Sequence, residues 1–119
     1  MVLAMTAYPH ASFRIDIGPD KRLGPGKVRL LELIAAEGSI SAAARGMGMS
    51  YRRAWLLIEE ANILFAAPLV ESSTGGAGGG GARLTPLGHE VIAAYRDIAR
   101  EAGAIVQRRL AQFPGLEKK

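Results

Sequence analysis

The stretch Ser39-Ile40-Ser41-Ala42-Ala43-Ala44-Arg45-Gly46-Met47-Gly48-Met49-Ser50-Tyr51-Arg52-Arg53-Ala54-Trp55 decides how this chain is read. Ser39 is a good helix N-cap, because its hydroxyl can accept one of the backbone N–H groups that a first helical turn leaves unpaired. After it a very short helix is expected from Ile40 to about Arg45, whose alanine run lets a second helix cross closely. Gly46-Met47-Gly48-Met49 then breaks the pattern as a four-residue turn, and Ser50 offers another N-cap. Beyond it Ala54, Leu57, Ile58, Ala61, Leu64 and Phe65 lay an apolar stripe along a third helix that should stop before Pro68.

A short helix, a glycine turn and a capped amphipathic helix with Tyr51, Arg52 and Arg53 in its first turn is the plan of a helix-turn-helix. In that plan the short helix sets the angle of the next one, so that residues at the N-terminal end of the latter reach base edges in the major groove. An arginine there can read guanine through two hydrogen bonds or hold a phosphate as a plain charge, and the two uses leave the same mark on a sequence. Arginines are unfavourable beside a helix N-terminus because of the macrodipole, which points to an anionic partner. Ser39 and Ser50 are caps first, with hydroxyls that can also touch phosphate; Ser41 and Arg45 are further phosphate candidates on the short helix. Trp55 sits one place off the apolar stripe and is expected to pack against the first helix or the hairpin described next.

Outward from this centre, Phe13, Ile15 and Ile17 alternate with polar residues before Gly18-Pro19, which reads as one short strand at a sheet edge. Val28, Leu31, Leu33, Ile34 and Ala35 give a first helix from Pro25, stopped at Gly38. On the other side, Leu69 to Ser72 and Ala82 to Thr85 read as two strands of a hairpin with a glycine tip, from Gly75 to Gly81. Glycines Gly78, Gly79 and Gly80 let that tip lie against a phosphate or in a minor groove, with Arg83 nearby as charge. The tip also matches a dinucleotide-binding glycine pattern, but that pattern must open a helix directly, and here Arg83-Leu84-Thr85-Pro86 intervenes.

Thr85-Pro86 starts a last helix expected to run to about Gln112. Ile92, Tyr95, Ala99, Ala102, Val106 and Leu110 form a seam at spacings of three and four, as in helices that pack along a partner. At ~1.5 Å per residue the helix would span roughly 40 Å, more than so small a domain can bury, so a second subunit is the expected partner. The organisation expected is thus one domain over the whole chain, residues 12–85 forming the strand, three helices and wing, and residues 86–112 the dimerisation helix. Its fold class is mainly α with a small β-hairpin: a winged helix-turn-helix with a long C-terminal dimerisation helix.

Composition sets outer bounds. The 119 residues are 49% hydrophobic and 22% charged, which excludes disorder for most of the length. The net charge of +4 and a pI near 9.9 favour an anionic partner, nucleic acid first. Bulk charge alone is weak support, since between Gly24 and His89 the cations Lys27, Arg29, Arg45, Arg52, Arg53 and Arg83 are nearly matched by Glu32, Glu37, Glu59, Glu60 and Glu71. There is no cysteine, hence no disulfide, thiolate metal site or cysteine nucleophile. His10 and His89 have no acidic or nucleophilic cluster at a recognisable spacing, so neither catalysis nor a metal site is expected. No apolar stretch reaches the ~20 residues of a membrane helix and no secretory signal is read at the start, so a cytoplasmic protein without membrane contact is expected.

The segments Gly38 to Arg45, Met47 to Trp55 and Gly75 to Gly88, the last ending Ala82-Arg83-Leu84-Thr85-Pro86-Leu87-Gly88, resemble the N-terminal domain of the ModE-type molybdate-dependent transcriptional regulators, itself similar to the LysR-type winged helix-turn-helix. The resemblance covers roughly Pro25 to Gly88 by motif and the long helix more loosely. It implies a homodimer on double-stranded DNA, with the last helix as dimer interface and the third helices in successive major grooves of an operator with two-fold symmetry. It also supports Ser50, Tyr51, Arg52 and Arg53 as the reading end and the glycine hairpin as the wing. Family members sense molybdate in C-terminal domains for which this chain has no room, so no cofactor is expected here. Two other readings stay open: a repressor that still responds to the oxyanion, and a protein-interaction module using the same fold.

Overall fold

The computed structural model describes residues 9–73 and 81–115. Its elements are β1 (Ile15–Gly18), β2 (Lys21–Leu23), α1 (Pro25–Glu37), α2 (Ile40–Met47), α3 (Tyr51–Ala61), β3 (Val70–Ser73), β4 (Gly81–Leu84) and α4 (Pro86–Leu110). This is a mainly α winged helix-turn-helix with a long last helix, as the periodicity suggested.

α1 is the hub. Its Val28, Leu30, Leu31 and Ile34 are essentially fully buried, and α2, α3, β4 and α4 all pack against it. Pro25 opens it where a missing N–H costs nothing, and Gly38 closes it in the left-handed region at φ 78°, its N–H returning to Ile34 O at 2.8 Å. Ala43 and Ala44 of α2, Ala54, Ile58 and Ala61 of α3, and Leu69, Val70, Ala82 and Leu84 of the wing complete the core. The wing is pinned to α1 as well, through Ala82 N–H donating to Gly38 O at 3.0 Å.

Three boundaries differ from expectation, each for a local reason. The N-terminal strand is half of a hairpin: β1 pairs antiparallel with β2 around Asp20 at φ 58°, a conformation that aspartate tolerates better than most residues, and β2 is too short to show a pattern. α2 continues through Gly46 to Met47, so the break is the left-handed Gly48 at φ 67°, and the turn shrinks to Gly48-Met49-Ser50. At Gly46 a side chain would stand 3.1 Å from Leu33 Cδ1, so the glycine serves close α1–α2 packing and not the turn. α3 ends at Ala61 instead of running on to Phe65, because Asn62 turns its side chain onto the incoming strand: Oδ1 accepts from Leu69 N and Val70 N at 2.9 Å each and Nδ2 donates to Val70 O at 3.2 Å. Leu64 still reaches the core from the turn that follows.

Only the first part of α4 belongs to the core, through Val91 and Tyr95. The rest projects. The Cα radius of gyration is 16.7 Å, against about 13.5 Å for a compact domain of this length, and the extents are 56 × 34 × 22 Å.

Candidate nucleic-acid interface

Both caps of the helix-turn-helix form as their residue types require. Ser39 Oγ accepts from Ala42 N and Ser50 Oγ from Arg53 N, each at 3.1 Å. Each hydroxyl keeps its own proton for a further acceptor. A cap of this kind is worth ~1 kcal/mol, and it fixes the first turn of α3, so that Tyr51, Arg52 and Arg53 occupy its first three positions. All three are exposed, Tyr51 at 54%, while Ala54, Ile58 and Ala61 on the opposite face are buried. α3 is therefore held from behind and open in front.

Among the described residues, Lys21, Arg108 and Arg109 have no carboxylate within 4.0 Å, and this end gathers three more such cations side by side. Arg14, Arg22, Lys27, Arg29, Arg83, Arg96 and Arg100 each lie within 4.0 Å of a carboxylate. Among the described residues, Arg45 at the end of α2 and Arg52 and Arg53 at the start of α3 have no such partner. α3 has no acidic residue in its first turn to offset its dipole. Two cations at the positive end of a helix, uncompensated by the protein, make a site where an anion gains both from the charges and from the free backbone N–H groups.

Other candidate residues separate into groups. Ser41 and Arg45 are exposed on α2, and Ser39 is half-buried at its cap. Arg83 is exposed, but its Nε donates to Glu71 Oε2 at 3.0 Å across the wing, where the two residues are register partners. A phosphate would have to displace that exposed pair, which at ~0–1 kcal/mol is a small obstacle. Gly78, Gly79 and Gly80 lie outside the described residues. His89 is exposed on α4, and among the described residues no group of three His, Cys, Asp or Glu is placed to hold a metal ion.

Trp55 corrects an expectation. It is not among the side chains packed on the core; it is 43% exposed and lines, with Tyr51 and Arg52, a shallow depression of about 200 Å³ on the outer face of α3. The signal was present in the spacing, since Trp55 lies four residues after Tyr51 and three after Arg52, which places all three on one helical face.

The seam along α4 also needs correction at one position. Tyr95 is 3% exposed, stacks on Phe13 with ring centroids 5.0 Å apart, and donates its hydroxyl to Phe13 O at 2.9 Å. It is committed to the chain's own core and is unavailable to a partner. Burial raises its pKa above the ordinary 10.0, with the neighbouring Arg96 acting in the opposite direction. Arg96 is held by both oxygens of Glu32, at 2.7 and 2.6 Å, and that hydrogen bonding raises its own pKa. The pair ties α4 to α1. Ile92 is half-buried against the core, while Ala99, Ala102, Val106 and Leu110 are half-buried further along. The N-terminal segment follows the same stretch of helix, with Phe13 on Tyr95 and Pro9 O accepting from Gln107 Nε2. Ile98 and Ile105, which the seam omitted, are the open apolar positions at 45% and 48% exposure.

Comparison with known proteins agrees with this geometry. The family model described as bacterial regulatory helix-turn-helix protein, lysR family, matches residues 26–89, more than half of the chain. Relatives include the molybdenum-pterin-binding protein MopB of Rhodobacter capsulatus, 50% identical over 77% of this chain and 33% of its own length. The molybdenum transport protein ModE of Herbaspirillum seropedicae is 44% identical over 73% of the chain and 34% of its own. The DNA-binding transcriptional dual regulator ModE of Escherichia coli K12 is 47% identical over 64% and 29% respectively. The chain thus spans about a third of the length of these relatives. No helix among the described residues is long and apolar enough to cross a membrane. Capped reading helix, wing, long last helix and the matched segment agree: the chain belongs to the lysR family of bacterial regulatory helix-turn-helix proteins and carries a DNA-binding domain of the ModE type.

Proposed function

We propose that the chain is a sequence-specific DNA-binding transcription regulator acting as a homodimer on an operator with two-fold symmetry. The observation that carries the reading is the cluster of uncompensated cations, Arg45, Arg52 and Arg53, at the open end of a helix-turn-helix whose other cations are mostly paired. Ser39, Ser41 and Ser50 supply phosphate contacts around it, and the wing carrying Arg83 lies beside them in the adjoining groove. Support for dimerisation comes from α4. Its 25 residues extend ~37 Å, yet its buried residues end at Tyr95. Ile98, Ile105, Ala99, Ala102, Val106 and Leu110 then offer a partly exposed apolar surface that a second copy would cover. The name of one relative, molybdenum transport protein ModE, supports molybdenum transport as the regulated process.

The test is Arg52→Ala, measured by anisotropy on a duplex selected from a random pool and on an unselected duplex. Arg52 acting as a base reader predicts a loss of ~1–3 kcal/mol on the selected duplex and relaxed preference at one position. Equal losses on both duplexes reduce Arg52 to a phosphate contact. Wild-type protein that shows no salt-dependent duplex binding refutes the reading.

A further inference from the structure

The outer face of α3 presents more than charge. Trp55 and Tyr51 are large aromatic side chains left 43% and 54% exposed on the same helical face as Arg52, in a domain whose other ring systems near the core are packed. Among the described residues the indole N–H of Trp55 has no hydrogen-bond acceptor. Trp55 is the fifth residue of α3, one turn beyond Tyr51, so it follows the arginines into whatever groove they enter. An exposed indole there is an apolar surface with a single donor at its edge.

In the major groove only one base offers the complement of that combination. Thymine shows a C5-methyl beside an O4 acceptor, whereas cytosine shows a donor, N4–H₂, where thymine has O4, and has no methyl. A donor-only aromatic is therefore matched by thymine and opposed by cytosine. Resting on the DNA-binding reading above, we propose that Trp55, supported by Tyr51, is a specificity-determining residue that reads the 5-methyl group of a thymine in each half-site. Arg52 at the rim of the same depression takes an adjacent polar base edge or phosphate. The adjoining positive charge is what favours DNA over a protein partner for this surface: Arg52 lines the depression with the aromatic pair, Arg53 follows it in the same turn, and neither has a carboxylate within 4.0 Å.

The test uses the whole chain and the duplex recovered by selection. Each thymine of a half-site is replaced singly by deoxyuridine, which removes only the methyl, or by cytosine with its complement changed, and affinities are compared at fixed salt. At ~0.8 kcal/mol for one methyl group removed from water, wild-type protein loses about fourfold per half-site at one or two thymines, and more with cytosine. Trp55→Ala abolishes the thymine–deoxyuridine difference at those positions, while Arg52→Ala keeps it. Trp55→Phe keeps the methyl preference and loses part of the discrimination against cytosine. Circular dichroism of the variants matches wild type, because Trp55 is not part of the core. A Trp55→Ala protein that still distinguishes thymine from deoxyuridine at the wild-type positions overturns the inference, as does wild-type indifference at every thymine; both leave the DNA-binding reading standing. Failure to recover any preferred duplex removes that reading and this inference together.

Discussion

Replacing Gly88 by alanine sets helix propensity against packing, and the structure says which prevails. Gly88 is the third residue of α4, and by propensity alone an alanine in a helix gains up to ~1 kcal/mol over glycine. But Gly88 is buried, and a Cβ on it would press into the Leu69 carbonyl oxygen, stand 3.2 Å from that carbonyl's carbon and 3.3 Å from Leu84 Cβ. The carbonyl cannot retreat cheaply. Leu69 is 0% exposed, its oxygen accepts from Thr85 N at 2.9 Å and its N–H donates to Asn62 Oδ1 at 2.9 Å. Overpacking costs about 1–3 kcal/mol, and a displaced Thr85–Leu69 bond adds about 1–3 kcal/mol. After a propensity gain of ~1 kcal/mol the net loss is about 1–5 kcal/mol, or a fall in Tm of about 4–20 °C at ~4 °C per kcal/mol. Gly103 is the control on the same helix: nothing lies within 4 Å of a Cβ there, so Gly103→Ala gains about 0.5–1 kcal/mol. Urea unfolding followed by circular dichroism at one fixed protomer concentration reads both variants. A Gly88→Ala midpoint at or above wild type, with unchanged slope, would refute the packing argument.

Asn62→Ala removes three hydrogen bonds at the base of the wing and leaves the Leu69 and Val70 N–H groups without their acceptor, so a loss of about 2–4 kcal/mol is expected by urea unfolding; a loss below ~0.5 kcal/mol means those groups find other partners. Ile98→Asp combined with Ile105→Asp places charge on the open apolar face of α4, and sedimentation velocity should show a dimer for wild type and a folded monomer for the double variant; a dimeric variant moves the interface elsewhere.

The helices and the wing were legible because each is announced by chemistry that acts locally. Ser39, Ser50 and Thr85 cap where hydroxyls are needed, Gly38 ends α1 in the left-handed region, and the burial of Ala54, Ile58 and Ala61 follows a 3.6-residue period. What escaped the sequence depends on contacts between distant residues. Tyr95 satisfies a helical seam as well as any residue, and only the placement of Phe13, 82 positions earlier, shows that its ring is already used. Asn62 reads as one more residue of the third helix until Leu69 and Val70 arrive beside it. Gly46 looks like a helix breaker, but its missing side chain makes room for Leu33. At the interface itself the reading end was legible from Ser50 and the two arginines. Trp55 was misplaced because a residue one step off an apolar stripe can face either way, and the packing of α3 on α1 and α2 decides which.

Leu69 also explains how the reading helix and the projecting helix hold a constant relation. Its N–H is bound by Asn62 at the end of α3, its oxygen by Thr85 at the start of α4, and Gly88 lies against its carbonyl. Thr85 adds a second strut by donating its hydroxyl to Pro68 O at 2.8 Å, while its Oγ also caps α4 through Gly88 N at 3.0 Å. A buried node made of short, nearly inflexible groups passes a displacement of α4 to α3 instead of absorbing it. In a dimer built on α4, the separation of the two reading ends is then set by how the helices pair, and it must match ~34–36 Å, one turn of DNA, for both to enter successive major grooves. A substitution at the node, such as Gly88→Ala, should consequently weaken binding to a symmetric operator more than to a single half-site. Loss in equal proportion on both duplexes would mean that the node supports the fold without setting the spacing.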